Sequence, residues 1–176
     1  AKRPIYDSDK IVTAFRDGEV TLRENRRTTG FTNSVKEIGY QGVRKGDLVV
    51  HAMDAFAGAI GVSDSNGKCT PVYSCCVPNE FNNSHYYADV LRVDSETGFI
   101  QSLSRGIRER STEFRWNDLA ELIVPCPPFD EQDRIEHFLE KQTSRINALI
   151  SEKQRFITLL LEKRQSIILN ILTKGI

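Results

Sequence analysis

Residues 135–172 read IEHFLEKQTSRINALISEKQRFITLLLEKRQSIILNIL, and a single spacing runs through the whole stretch. Ile135, Phe138 and Leu139 are followed eleven residues later by Ile146, Leu149 and Ile150. The same step leads to Ile157, Leu160 and Leu161, and then to Ile168, Ile171 and Leu172. In a chain that is 39% hydrophobic, twelve apolar positions in this register would arise by chance about once in a hundred thousand trials. Eleven residues make three helical turns, so the stripe stays on one face of a nearly straight helix. From Asp130 to Ile171 such a helix would be roughly 60 Å long. A small domain has no use for a rod of that length. The stripe therefore reads as a docking surface for another helix.

Immediately upstream, Pro125, Pro127 and Pro128 stop any regular element and set a boundary. Residues 1–128 are expected to form a globular domain and residues 129–176 a helical region. Asp130 is the expected N-cap, with Glu131 and Asp133 favourable at the positive end of the helix dipole. Lys163, Arg164 and Lys174 suit the negative end.

The globular part reads as strands punctuated by turns. Ile11–Arg16 and Glu19–Arg23 are β-rich runs around Asp17-Gly18, which suits a two-residue type I′ hairpin. Lys45-Gly46-Asp47 leads into Leu48-Val49-Val50-His51 as a turn into a buried strand. Gly58–Ser63 and Cys69–Val77 flank another turn at Asn66-Gly67, and Pro71 places the second of these at an edge or delays its start. Ser84 is placed to cap a helix containing Tyr86, Tyr87, Val90 and Leu91. A further helix covers Phe99–Leu103, and Leu122-Ile123-Val124 returns to strand. The fold class is α+β: a strand-rich domain followed by one long helix.

Charge excludes bulk electrostatic attraction to nucleic acid, since 24 Lys/Arg balance 24 Asp/Glu. Any DNA contact must rest on local clusters. The cysteines at 69, 75, 76 and 126 form no CxxC and have no histidine at ligand spacing, which points to reduced thiols in the cytoplasm rather than to zinc. No apolar run is long enough to span a membrane.

The tail also carries a recognisable order of motifs: Pro127-Pro128-Phe129-Asp130-Glu131-Gln132, Ile135 with Phe138-Leu139, Ile146-Asn147-Ala148-Leu149-Ile150, Leu161-Glu162-Lys163-Arg164-Gln165 and Thr173-Lys174-Gly175. It resembles the helical region of type I restriction–modification specificity subunits, departing at Phe129-Asp130, Glu140 and Asn147. Gly46-Asp47-Leu48-Val49, Gly58-Ala59-Ile60-Gly61-Val62 and Trp116-Asn117-Asp118-Leu119 resemble a target recognition domain of that family. The resemblance implies one recognition domain that reads half of a split duplex DNA target. It also implies a helix that pairs as an antiparallel coiled coil. Members carry two of each, so this chain is expected to be a half-length subunit or a fragment that self-associates as a homodimer. The implied partners are duplex DNA, modification (methyltransferase) subunits and a restriction subunit. S-adenosylmethionine, ATP and Mg belong to those subunits, and this chain binds no cofactor and is no enzyme.

The candidate DNA-binding residues are Arg23, Asn25, Arg26 and Arg27 after the hairpin, and Arg105, Arg108, Arg110 and Arg115 in a later polar stretch. Arginine suits phosphate and guanine, and asparagine suits adenine. A solvated loop paired with Asp17, Glu19 or Glu24 explains the first group equally well. Asn82–Tyr87 offers amides and aromatic rings to bases, or simply starts a helix. His51 reads as a structural histidine facing Asp54. Cys126-Pro127-Pro128-Phe129 imitates an amino-methyltransferase motif, but cysteine replaces the polar residue that must bond the target amine. Two rival readings stay open: a coiled-coil scaffold without DNA binding, and the recognition portion of a bifunctional methyltransferase–nuclease.

Overall fold

The computed structural model describes residues 2–27, 29, 37–103 and 113–175. The chain divides into two compact units, Ala1–Asp133 and Arg134–Ile176.

Among its described residues the first unit holds β1 (Val12–Ala14), β2 (Val20–Leu22), β3 (Gln41–Val43), β4 (Leu48–His51), β5 (Ile60–Val62), β6 (Gly67–Cys69) and β7 (Tyr73–Cys76). Its helices are α1 (Ser84–Glu96), α2 (Phe99–Leu103) and α3 (Trp116–Ala120). The strands form three small antiparallel sheets, β1-β2, β3-β6 and β5-β4-β7. Single bridges from Ile11 to Lys68 and from Val20 to Ser63 stitch these into one order, β3-β6-β1-β2-β5-β4-β7. The ends of that order meet through a side chain: Gln41 Nε2 donates to the Tyr73 carbonyl at 2.6 Å.

β4 explains why its sequence reads as an unbroken apolar run. Successive side chains alternate in direction. Val49 enters a core with Val12, Val20, Val43 and Cys69, while Leu48 and Val50 enter a second core with Ile60, Leu91, Ile100 and Phe114. Both faces are covered, the second by α1, which packs on β4 and β5. The adjacent Cys75 and Cys76 divide in the same way, one toward each core.

Several expectations are corrected. The hairpin turn is not type I′, which needs positive φ at two residues; Gly18 alone has it, at 91°. The Gly18 N–H donates to the Phe15 carbonyl at 2.9 Å and the Phe15 N–H to the Glu19 carbonyl at 2.8 Å, a three-residue loop closed by a left-handed glycine. The run Cys69–Val77 is two strands in different sheets, broken around Pro71. The cap of α1 is Asn83, one residue before Ser84, and its Oδ1 accepts from the His85 and Tyr86 N–H groups. No strand forms at Leu122–Val124: Leu122 packs on the second core, but Ile123 is 94% exposed and no strand pairs with it.

α4 spans Phe129–Lys174, about 69 Å of helix. It starts one residue before the expected cap. The Pro128 carbonyl accepts from the Glu131 and Gln132 N–H groups, and Asp130 is the second helical residue. Within the second unit, Ile135 is half-buried and the other eleven stripe residues are exposed, as are Phe156, Leu159, Ile167 and Leu169. The apolar face is thus widest toward the C-terminal end. No helix among the described residues is long and apolar enough to cross a membrane.

Candidate nucleic-acid interface

The chain leaves β2 through a single 3-10 turn at Arg23–Asn25, which sets the directions of the first basic cluster. The Arg23 N–H donates to the Ile11 carbonyl at 2.8 Å, and its Nε approaches Thr13 Oγ1 at 3.4 Å. This directs Arg23 across β1. The Arg27 N–H donates to the Arg23 carbonyl, closing the turn, and the Arg27 Nε donates to the Thr29 carbonyl at 3.1 Å. Asn25 turns back, its Nδ2 donating to Thr21 Oγ1 at 2.8 Å. Arg26 lies over the Phe15 ring and forms ion pairs with Asp17 at 2.7 Å and Glu19 at 2.8 Å. Slight burial pushes the Asp17 carboxyl up, but the Glu19 N–H and the Arg26 guanidinium together outweigh it and hold the group below its usual range.

Arg23 and Arg27 share a cleft of about 420 Å³ with Thr13, Arg16, His51, Asp54 and Tyr73. Arg16 reaches it from the hairpin loop and pairs with Asp54 at 2.7 Å. No basic motif marked Arg16, which sits in sequence as the last residue of a strand-like run. His51 faces Asp54 as its spacing implied: its Nδ1 accepts the Asp54 N–H at 3.0 Å. Its ring meets Tyr73 edge-on at 4.6 Å. Burial pushes the His51 pKa down against the pull of the Asp54 carboxylate, so the ring is neutral at pH 7. Burial likewise pushes the Tyr73 hydroxyl up to about 12, keeping it protonated.

The second cluster is only partly on view. Arg105, Arg108 and Arg110 lie outside the described residues. Arg115 pairs through its guanidinium with Glu113, and its N–H donates to Asp118 Oδ2 at 3.0 Å at the start of α3. With Trp116 it lines a separate cleft of about 420 Å³ along β7, which Gln41 of β3 also lines. Tyr73 is common to both clefts. In the Asn82–Tyr87 stretch, Asn83 caps a helix and Tyr86 is buried, so these two groups serve the fold.

Solved structures share this architecture. An HsdS subunit from Thermoanaerobacter tengcongensis matches with a TM-score of 0.53 at 18% identity, over 77% of this chain and 32% of that one. A chain from a structural study of complex assembly and conformational transition in the type I R-M system matches with a TM-score of 0.65 at 15% identity, over 99% of this chain and 43% of that one. The chain therefore spans less than half the length of either. No protein-family model and no curated protein matches the sequence. The likeness is one of fold: a strand-rich unit and one long helix, shared with part of the HsdS subunit and with part of the type I R-M chain.

Proposed function

We propose that this chain is a non-catalytic DNA-recognition element of a type I restriction–modification system, acting as a half-subunit or as part of a longer specificity subunit. The strand-rich unit reads duplex DNA. α4 pairs antiparallel with a second such helix and sets the spacing between two recognition units. Modification and restriction subunits, with their S-adenosylmethionine, ATP and Mg, supply the chemistry in the cytoplasm.

One observation carries this reading: the chain joins the HsdS fold to an apolar stripe that stays exposed from Phe138 to Leu172. Charge favours the antiparallel sense. Residues 130–140 hold Asp130, Glu131, Asp133, Glu136 and Glu140 against Arg134 alone, whereas Lys163, Arg164 and Lys174 lie at the other end. An antiparallel partner sets acidic beside basic, while a parallel one sets like against like.

The rival is a protein scaffold that binds no DNA. It is favoured by zero net charge and by the internal pairing of Arg26 and Arg115. Light scattering and duplex binding of the full chain separate the two. The recognition reading expects a dimer that falls to a folded monomer when Ile146, Leu149 and Leu160 become Asp, and duplex affinity that drops steeply with salt. A dimer with no salt-dependent duplex binding establishes the scaffold instead.

A further inference from the structure

We propose that the cleft between β1 and the end of β4 is the seat of one backbone phosphate, held by Arg16, Arg23 and Arg27. This rests on the reading of the chain as a DNA binder and assigns this patch the task of positioning the duplex rather than reading its bases. Among the described residues, three guanidinium groups and one carboxylate, that of Asp54, line a concavity of about 420 Å³. The other polar side chains described along it are neutral at pH 7: Thr13, the His51 imidazole and the protonated Tyr73 hydroxyl.

Shape decides between phosphate and base. Base edges lie at the floor of a groove and are reached by convex elements, such as a helix or a loop tip. A concave pocket meets only what projects from the duplex, and that is the phosphodiester. The guanidinium fork suits the same group, because its parallel N–H donors match two phosphate oxygens. Arg16 is held ready by Asp54 rather than consumed by it. The Arg16 side chain is 66% exposed and that of Asp54 35%, so solvent screens the pair and the exchange to a phosphate is cheap. Arg26 is the contrast: two carboxylates and a ring hold it outside the cleft.

The test is duplex binding by the full chain over a salt series, on several unrelated sequences. Arg16→Ala, Arg23→Ala and Arg27→Ala are compared with Lys45→Ala, which removes one exposed charge elsewhere. Each cleft variant is expected to bind roughly tenfold more weakly on every duplex. With all three changes the slope of log K against log salt should fall by about 0.9, the loss of one phosphate contact. Arg16→Lys keeps the charge and should keep most of the slope. Losses no larger than with Lys45→Ala overturn the seat while leaving DNA recognition standing. A changed preference among sequences at constant slope also overturns it, because the cleft then reads bases. If the wild type binds no duplex, the recognition reading fails on its own. Inorganic phosphate then tests the seat: perturbed NMR signals of the Arg16, Arg23 and Arg27 Nε–H groups uphold it, and unmoved signals overturn it.

Discussion

Gln132 Oε1 accepts the backbone N–H of Asn83 at 2.9 Å, joining the first turn of α4 to the residue that caps α1. Gln132 has no exposed surface, and its Nε2 donates to the carbonyls of Pro127 at 2.8 Å and Phe81 at 3.3 Å. One buried amide thus bonds three backbone groups from three separate positions of the first unit. The glutamine of the Glu131-Gln132 pair, read in sequence only as part of a motif, is a structural keystone of the first unit.

Gln132→Ala should therefore destabilise the first unit by about 1–3 kcal/mol, through the loss of a buried side chain and its three hydrogen bonds. Gln132→Glu keeps an acceptor for Asn83 but loses both donations and buries a carboxylate, so it should be no better. Thermal unfolding of the two variants checks this. A loss below about 0.5 kcal/mol for both would mean the network is not closed in solution.

At Gly61 the chain passes close against the β1–β2 hairpin. A Cβ there would lie 2.0 Å from the Gly18 carbonyl oxygen and 3.0 Å from Val20 Cγ2. The obstacle is backbone from the β1–β2 hairpin and cannot swing aside. Gly61→Ala is expected to cost about 1–3 kcal/mol by overpacking. Gly46→Ala meets nothing within 4 Å, but its φ of 92° strains any side chain, so it should lose less and through the turn alone. Urea unfolding of the pair ranks the two effects.

His51 makes stability depend on pH in a definite direction. Its folded pKa lies below the ordinary 6.5 because burial penalises the cation. The unfolded chain therefore binds more protons than the folded one between those two values. The stabilisation is complete above pH 6.5 and is lost as pH falls through the folded pKa. His51→Asn keeps an acceptor for the Asp54 N–H and does not titrate. Its unfolding free energy should fall less steeply between pH 7 and 5 than that of the wild type. Parallel pH profiles would show that His51 is not the group responsible.

How much of this was legible in the sequence follows from where each signal lives. The α4 stripe repeats through its own length, so period alone revealed the element, with its start within one residue and its end three residues short. β4 and β5 were legible because they are apolar on both faces. β3 was not: Gln41-Gly42-Val43 is fully buried by tertiary cover, with Gly42 close against the Pro4 carbonyl, and no local pattern announces that. Leu122–Val124 fails in the opposite way, because an apolar run makes a strand only where a neighbouring strand can pair with it. For the candidate site, sequence adjacency grouped Arg23, Asn25, Arg26 and Arg27; the fold puts Arg23 and Arg27 in one cleft and pairs Arg26 with Asp17 and Glu19. Adjacency missed Arg16 and the cleft-lining place of His51, which only the packing of β1 against β4 reveals.

The sense and register of helix pairing can be tested by a single crosslink. An antiparallel copy overlays the stripe on itself when Ile135 meets Leu172, Leu139 meets Ile168, Ile146 meets Leu161 and Ile150 meets Ile157; all eight are apolar. The same register brings Glu136 near Ile171 and Glu140 near Ile167, leaving the acidic start within a turn of Lys163, Arg164 or Lys174 on the partner. With the exposed Cys126 replaced by serine, Leu139→Cys alone should not form a disulfide dimer under mild oxidation, because its copies lie at opposite ends. Mixed with Ile168→Cys it should crosslink. A parallel pair inverts both results, since Leu139→Cys would then meet itself. No crosslink in any combination, together with a monomer by light scattering, would mean that the stripe is covered by something other than a second copy of this helix.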